Sequence, residues 1–201
     1  MRNTGPKTRL ARRLGEALRE KDVKYLQKRN YPPGVHGQSR RRVSEYGGQL
    51  MEKQKAKWIY GVAERQFRRY VEKAAAKPGM TGSVLLEFLE MRLDNVVYRL
   101  GLAGSRPQAR QITSHGFITI NGQRVNIPSY QVAVGDTISI QENKKSSKYA
   151  EGLAPRLKDF KPLEWLELDP KTMTGKVLSK PTADNTGSTI RMELIIEHYS
   201  R

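Results

Sequence analysis

Four arginines are spaced as a phosphate-binding surface would require. Arg106 and Arg110 stand four residues apart, and Arg92 and Arg99 seven apart, so each pair shares a face if its segment is helical. Two packed helices would merge those faces into one cationic surface suited to RNA or DNA phosphates. Ser105, Gln108, Gln111 and His115 flank Arg106 and Arg110 and add hydrogen-bonding groups. A solvated charged face is the plain alternative for any one pair. The binding reading is preferred here because the whole chain is strongly basic, with 37 Lys and Arg against 20 Asp and Glu and a net charge of +17.

Other chemistry is poorly provided for. The three histidines, His36, His115 and His198, are far apart, and no His/Asp/Glu spacing matches a metal or hydrolase motif. There is no Gly-x-x-x-x-Gly-Lys-Ser/Thr loop and no Gly-x-Ser-x-Gly turn. The chain contains no cysteine, which removes disulfides, thiolate zinc sites and cysteine nucleophiles together. No catalytic residue, cofactor or metal is therefore expected. No apolar run approaches the ~20 residues needed to span a bilayer, and no membrane partner is expected.

The charge is uneven: residues 1–60 hold 16 basic and 5 acidic residues, a net +11. Arg9, Arg12 and Arg13, then His36 and the Arg40-Arg41-Arg42 cluster, are the candidate phosphate contacts of this region. A targeting helix is a competing reading of the first residues, but Gly5-Pro6 interrupts it, so a basic arm of the protein itself is preferred. Such an arm is either a solvated tail or a segment that orders on nucleic acid.

The elements that must position these groups can be traced along the chain. Leu10, Leu14 and Leu18 give Thr8–Lys21 a helical spacing, whereas Tyr31-Pro32-Pro33-Gly34 cannot be helix interior. Ser44 can cap a helix, Tyr60-Gly61 can break it, and Phe67, Tyr70 and Val71 read as helix–helix core rather than base-stacking groups. Lys53, Lys55, Arg65, Arg68 and Arg69 on these helices extend the candidate RNA-binding set. A turn at Lys77–Gly82 marks a boundary. Leu86, Leu89, Leu93, Val96 and Leu100 then form a helical stripe ending at Gly101. Ser105-x-x-Gln108 is a capping box, Pro107 fits the first turn of its helix, and Gly116 can end it.

Asn121-Gly122 predicts a hairpin that pairs Ile120 with Gln123 and Ile118 with Val125. Val132, Val134, Ile138 and Ile140 predict a second strand pair turning at Gly135-Asp136. Glu142–Asp159 reads as a mobile linker, and Leu163–Leu168 is compatible with helix or strand. Alternation of Ile190, Met192, Leu194 and Ile196 predicts a strand over Thr189–Tyr199. A DNA-reading helix-turn-helix is a near competitor, with Gln108, Arg110 and Gln111 as base readers, but a sheet directly after the helix pair argues against it.

Several motifs carry a specific likeness. Leu93-Asp94-Asn95-Val96-Val97-Tyr98-Arg99-Leu100-Gly101, Ser105-Arg106-x-Gln108-Ala109-Arg110-Gln111 and His115-Gly116 resemble the small RNA-binding domain named after ribosomal protein S-four. Thr4-Gly5-Pro6-Lys7, Arg12-Arg13-Leu14-Gly15, Tyr31-Pro32-Pro33-Gly34-x-His36-Gly37, Tyr46-Gly47-x-Gln49-Leu50-x-Glu52-Lys53-Gln54-Lys55 and Tyr60-Gly61-Val62-x-Glu64-Arg65-Gln66-Phe67-Arg68 resemble the ribosomal family itself, in its bacterial or organelle form. Many members hold zinc through cysteines ahead of the Tyr-Pro-Pro-Gly motif; Asp22–Asn30 has none, so zinc is not carried over.

The resemblance implies an α+β protein: a basic arm at 1–43, a mainly helical domain from 44–90 and 160–201, and an RNA-binding domain at 91–150 with two helices on a small antiparallel sheet. It implies a structural constituent of the small ribosomal subunit, not an enzyme, that organises a multi-helix junction in the 5′ domain of its ribosomal RNA. Implied partners are that RNA, ribosomal protein S-five, other small-subunit proteins, and mRNA where it enters the subunit. A role in translational accuracy and, in some bacteria, repression of its own operon come with the family. The implied location is the cytoplasmic ribosome or an organelle of bacterial origin. RNA-modifying enzymes and a stress-related RNA-binding protein use the same small domain. The former add a large catalytic domain that finds no counterpart here, and the latter would not explain the N-terminal motifs.

Removing residues 1–42 is expected to weaken RNA binding and flatten its salt dependence. Each phosphate that the shortened chain no longer neutralises should reduce the log–log salt slope by about 0.7–0.9. An RNA titration across a salt series measures this, and an unchanged slope would exclude the arm from the footprint.

Overall fold

The structure is a computed structural model and describes residues 5–39 and 42–200. The fold is α+β, and the chain divides into two compact units. The first takes residues 1–82 and 189–201, and the second takes 83–188. The segment expected wholly in the helical part, 160–201, is therefore split, with 160–188 in the second unit together with 83–90. Among the described residues no helix is long and apolar enough to cross a membrane.

The first unit begins with α1 (Lys7–Leu14) and α2 (Glu20–Lys28), so the stretch expected as one helix is broken. Gly15 breaks it in the left-handed conformation at φ 73°. Asp22, fully buried, joins the two helices: its carboxylate accepts from Thr8 Oγ1 at 2.8 Å and from Arg19 at 3.0 and 3.2 Å. Burial works against the Asp22 charge, but the hydrogen bonds from Arg19 and Thr8 outweigh it and hold its pKa below the usual value. Arg12 donates to the Tyr31 carbonyl at 3.2 Å and stands 4.9 Å over the Tyr31 ring, tying the Pro-rich turn back to α1. A short 3-10 turn, Val35–Gln38, follows.

Helices α3 (Glu45–Tyr60) and α4 (Glu64–Ala75) have the predicted punctuation. Ser44 caps α3 by accepting from Gly47 N at 3.1 Å, and Gly61 ends it at φ 63°. Phe67, Tyr70 and Val71 are core. The end of the chain is a correction. Residues 192–200 form a helix, α11 (Met192–Ser200), where alternation predicted a strand. Met192 and Ile195 are the buried pair, three residues apart, and Ile190 is buried ahead of the helix. The same apolar residues satisfy a period of two and a period of 3.6, and packing on α3 selects the second.

In the second unit the predicted single stripe becomes α5 (Thr81–Glu90) and α6 (Leu93–Arg99). The chain is extended at Arg92, where it bridges to Gln131, and Met91 O accepts from Val132 N at 2.9 Å. Then come α7 (Arg106–Ser114), β1 (Ile118–Ile120), β2 (Gln123–Arg124) and β3 (Thr137–Ile140). Two helices follow where a mobile linker was expected, α8 (Glu142–Lys145) and α9 (Lys148–Lys158). α9 is anchored because Leu153 and Leu157, four apart on it, both enter the core. β4 (Leu166–Asp169), β5 (Thr174–Val177) and α10 (Ala183–Thr186) complete the unit.

The sheet is five-stranded and antiparallel, in the order β2-β1-β3-β5-β4. Ile120 pairs with Gln123 as predicted, and Val125 N donates to Ile118 O at 3.1 Å. Asn121 at φ 50° and Gly122 at φ 81° make the turn between them. The predicted pairing of 132–134 with 137–140 does not occur. β3 instead lies between β1 and β5, because Ile138 and Ile140 are needed in the core beside Ile118. Gly175 on β5 leaves room for Leu100, whose methyls would lie 2.5 Å from any Cβ there. Leu93 and Val96 from α6, Leu100 just after it, and Ala109 and Ile112 from α7 pack with Trp165 and the sheet residues in one core.

Glu64 shows how charge holds the first unit together. It accepts from Lys57 at 2.5 Å, Tyr199 OH at 2.6 Å and Lys53 at 3.2 Å. Burial opposes its ionisation, yet the hydrogen bonds from Lys57, Tyr199 and Lys53 bring its pKa from 4.5 down to about 2. Because the folded-state value is the lower one, the stabilisation is complete above pH 4.5 and is lost as pH falls toward 2. Glu64→Gln should flatten that part of the stability–pH curve. Denaturation midpoints across the interval measure it, and an unchanged acid limb would show that these contacts carry no stability.

Candidate nucleic-acid interface

The arginine surface predicted from spacing is built differently in the structure. Arg92 precedes α6 rather than lying on it, and it is 1% exposed. Its guanidinium meets Asp94 through Nε at 3.0 Å and a terminal nitrogen at 2.8 Å, a fork-to-carboxylate pair. Arg92 is thus a buried structural cation and not a phosphate contact. Arg99 makes the equivalent fork with Glu90 at 3.0 and 2.8 Å, and Glu90 is itself fully buried. The expected shared face of Arg92 and Arg99 is replaced by two ion pairs with opposite roles in the chain: one starts α6 and one ends it.

Arg106 and Arg110 sit on α7, half-exposed, with Ala109 and Ile112 turned into the core as predicted. They are also tethered to α6. Arg106 Nε donates to Asn95 Oδ1 at 2.8 Å, and its guanidinium lies 4.6 Å over the Tyr98 ring. Arg110 donates to Asp94 Oδ2 at 3.1 Å. Asn95 in turn donates to Glu90, at 2.7 Å to its carboxylate and 2.9 Å to its carbonyl. Four guanidiniums and two carboxylates therefore belong to one arrangement around α6.

Ser105 caps α7 by accepting from Gln108 N at 3.4 Å. The return bond of the predicted capping box shifts by one residue, with Gln108 Oε1 accepting from Gly104 N at 2.8 Å. Gln111 and His115 are exposed on the same helix and at its end. The fold adds two cations that sequence reasoning missed. Arg156, from the stretch read as a linker, lies beside Gly104 at the N-terminal end of α7. Arg124 lies across Gly116 at the C-terminal end, so close that a Cβ on Gly116 would fall 2.2 Å from its Nε. The glycine ending α7 and an arginine just beyond the Asn-Gly turn were the only local signals for the latter.

In the first unit the predicted residues separate into two classes. Arg9, Arg13, His36, Arg42, Arg65 and Arg69 are at least partly exposed, and Arg68 is exposed with a surface pair to Glu72 at 3.1 Å. Arg12 is half-buried and turned to Tyr31. Lys53 and Lys55 are buried, which removes them from the candidate interface. Lys53 serves Glu64, while Lys55 donates to Glu16 at 2.6 Å and the Thr189 carbonyl at 2.7 Å. Position on α3 decides this, since residues 49, 52, 53, 55, 56 and 60 form its buried side. Arg40 and Arg41 lie outside the described residues. The first unit holds 23 basic and 9 acidic residues and the second 14 and 11, so the excess positive charge is concentrated in the first.

These contacts change what substitution at α7 should do. From sequence, replacing both Arg106 and Arg110 with Ala would cost within ~0.5 kcal/mol. The tethers to Asn95, Tyr98 and Asp94 raise the expected cost to about 1–3 kcal/mol, against about 0.5–1 kcal/mol for the cap variant Ser105→Ala. Denaturation curves for the two variants measure the difference. A double variant as stable as the parent chain would mean the tethers contribute nothing.

Residues 2–90 match the family described as ribosomal protein S4/S9 N-terminal domain, and residues 91–138 match the S4 domain. A protein of Parabacteroides distasonis named small ribosomal subunit protein uS4 is 52% identical over 203 residues. The protein of the same name from Roseiflexus castenholzii is 50% identical over 204 residues, and that from Desulforamulus reducens 49% over 206. Each alignment covers 100% of this chain and 99% of the relative. The chain belongs to the ribosomal protein S4 family.

Proposed function

We propose that this chain is a structural, RNA-binding constituent of the small ribosomal subunit. The observation that carries the reading is identity of about half, along nearly the full length of both chains, with proteins named small ribosomal subunit protein uS4. In this reading the protein binds a multi-helix junction in the 5′ domain of the subunit's RNA and organises it during assembly. The physical features support it. Duplex RNA hides its base edges in a deep, narrow groove, so a junction is recognised by shape, phosphates and 2′-hydroxyls. Exposed cations of the arm and α4, and the half-exposed arginines of α7, supply groups for that purpose.

Within this proposal the RNA-contacting residues are Arg9, Arg13, His36, Arg42, Arg65, Arg68 and Arg69 in the first unit. In the second they are Arg106, Gln108, Arg110, Gln111 and His115, joined by Arg124 and Arg156. Ribosomal protein S-five, other small-subunit proteins and mRNA at its point of entry into the subunit are the further partners. A contribution to decoding accuracy follows from that placement. The site of action is the ribosome of a bacterial cytoplasm or of an organelle of bacterial origin.

The test is sedimentation of the tagged chain with small subunits, followed by chemical footprinting of the RNA. The expected result is a stable small-subunit complex with protection confined to helices that meet at one junction of the 5′ domain. Protection scattered over unrelated helices, or a chain that stays free of small subunits, would overturn the reading.

A further inference from the structure

We infer that Glu90, Asp94 and Asn95 are positioning residues for RNA binding, holding Arg106 and Arg110 in the arrangement that meets the phosphates. The inference rests on the RNA-binding function proposed above. Two of the three residues carry the sign of charge that RNA repels. They are also 0%, 4% and 2% exposed, so none of them can touch an RNA strand directly.

Their geometry explains why such residues stand behind a cationic face. Asp94 is gripped by Arg92 at 2.8 and 3.0 Å, and its Oδ2 also accepts from Arg110 at 3.1 Å. Glu90 is gripped by Arg99 and orients Asn95 through a 2.7 Å hydrogen bond to the Asn95 amide nitrogen. That bond leaves Asn95 Oδ1 facing α7, where it accepts from Arg106 Nε at 2.8 Å. The Tyr98 ring supports the flat side of the same guanidinium. Arg106 is thereby held through Nε and across one ring face, and Arg110 through a terminal nitrogen. An untethered arginine or lysine would lose rotamer freedom on binding, whereas this pair has already been ordered by folding. The four guanidiniums exceed the two carboxylates, so the assembly stays net positive while its geometry is set.

Charge and geometry make opposite forecasts for substitution, which allows a decision. Arg106→Lys with Arg110→Lys keeps both charges but removes the planar fork and the stacking surface. Glu90→Gln and Asp94→Asn each add one unit of positive charge and loosen the tether. The probes are a transcript of the small-subunit 5′ domain and an unrelated RNA hairpin of equal length, titrated with the full chain at several salt concentrations. Melting curves of each variant run alongside.

The double-lysine chain, which keeps both charges, should lose less affinity for the hairpin than for the 5′ domain, which it should bind about tenfold more weakly. Glu90→Gln and Asp94→Asn should bind the hairpin more tightly and the 5′ domain more weakly. A purely structural role would weaken both RNAs together, in step with lost stability. Equal 5′-domain affinity for the parent and the double-lysine chain would overturn the inference, as would carboxylate variants that tighten both RNAs alike. If a carboxylate variant fails to fold, Asn95→Ala takes its place: it changes no charge and removes the 2.8 Å tether to Arg106 Nε, so it should weaken the 5′ domain more than the hairpin, and unchanged 5′-domain affinity would overturn the inference. A parent chain that shows no preference for the 5′ domain would sink the ribosomal reading itself, a result separable from the other two.

Discussion

Glu90 and Asp94 are carboxylates that folding removes from water, and the second unit is arranged around satisfying them. A buried carboxylate without a cation would be costly, and a buried arginine without a carboxylate equally so. Arg92 therefore cannot continue α5 as a helix. It turns back to meet Asp94, the chain becomes extended for one residue, and α6 starts afresh at Leu93. Arg99 then closes α6 onto Glu90, and Asn95 and Asp94 reach across to the arginines of α7. The apolar core under α6 and α7 supplies most of the driving force, while these polar links select one register between the two helices.

The first unit follows the same rule with lysines. Lys53 and Lys55 leave the surface of α3 and bind Glu64 and Glu16, and the Thr189 carbonyl takes a further bond from Lys55. The last segment of the chain is held by such bonds as well, through Gln49 to Glu197, Arg191 N to Glu52 and Tyr199 to Glu64. A strongly basic protein thus uses part of its positive charge internally. Among the described residues, the exposed cations, those of α1, of the outer side of α4 and around α7 included, are the part of that charge left on the surface. Net charge alone overstates the footprint, because it counts cations that acidic neighbours already occupy.

Features that depend on a few adjacent residues were legible in the sequence. Ser44 and Ser105 as caps, Gly61 and Gly101 as stops, the Asn121-Gly122 turn and the inward Ala109 and Ile112 all follow from local sterics and hydrogen bonding. The motifs around Leu93–His115 identified the family for the same reason, since they encode one compact local unit.

What the tertiary structure decided was everything that required a distant partner. Ile190, Met192, Leu194 and Ile196 suit a strand as well as a helix until α3 offers a helical groove. β3 could have paired with 132–134, but its isoleucines were needed between β1 and β5. Leu153 and Leu157 look like isolated apolar residues in a polar stretch until the core receives them. The arginine spacing put Arg106 and Arg110 together on one half-exposed face of α7, as the structure does. It could not show that Arg92, Lys53 and Lys55 point inward, because a helical period gives only relative directions. Which direction is inside depends on where the buried carboxylates and the apolar core lie, and those are set by packing between residues far apart in the chain.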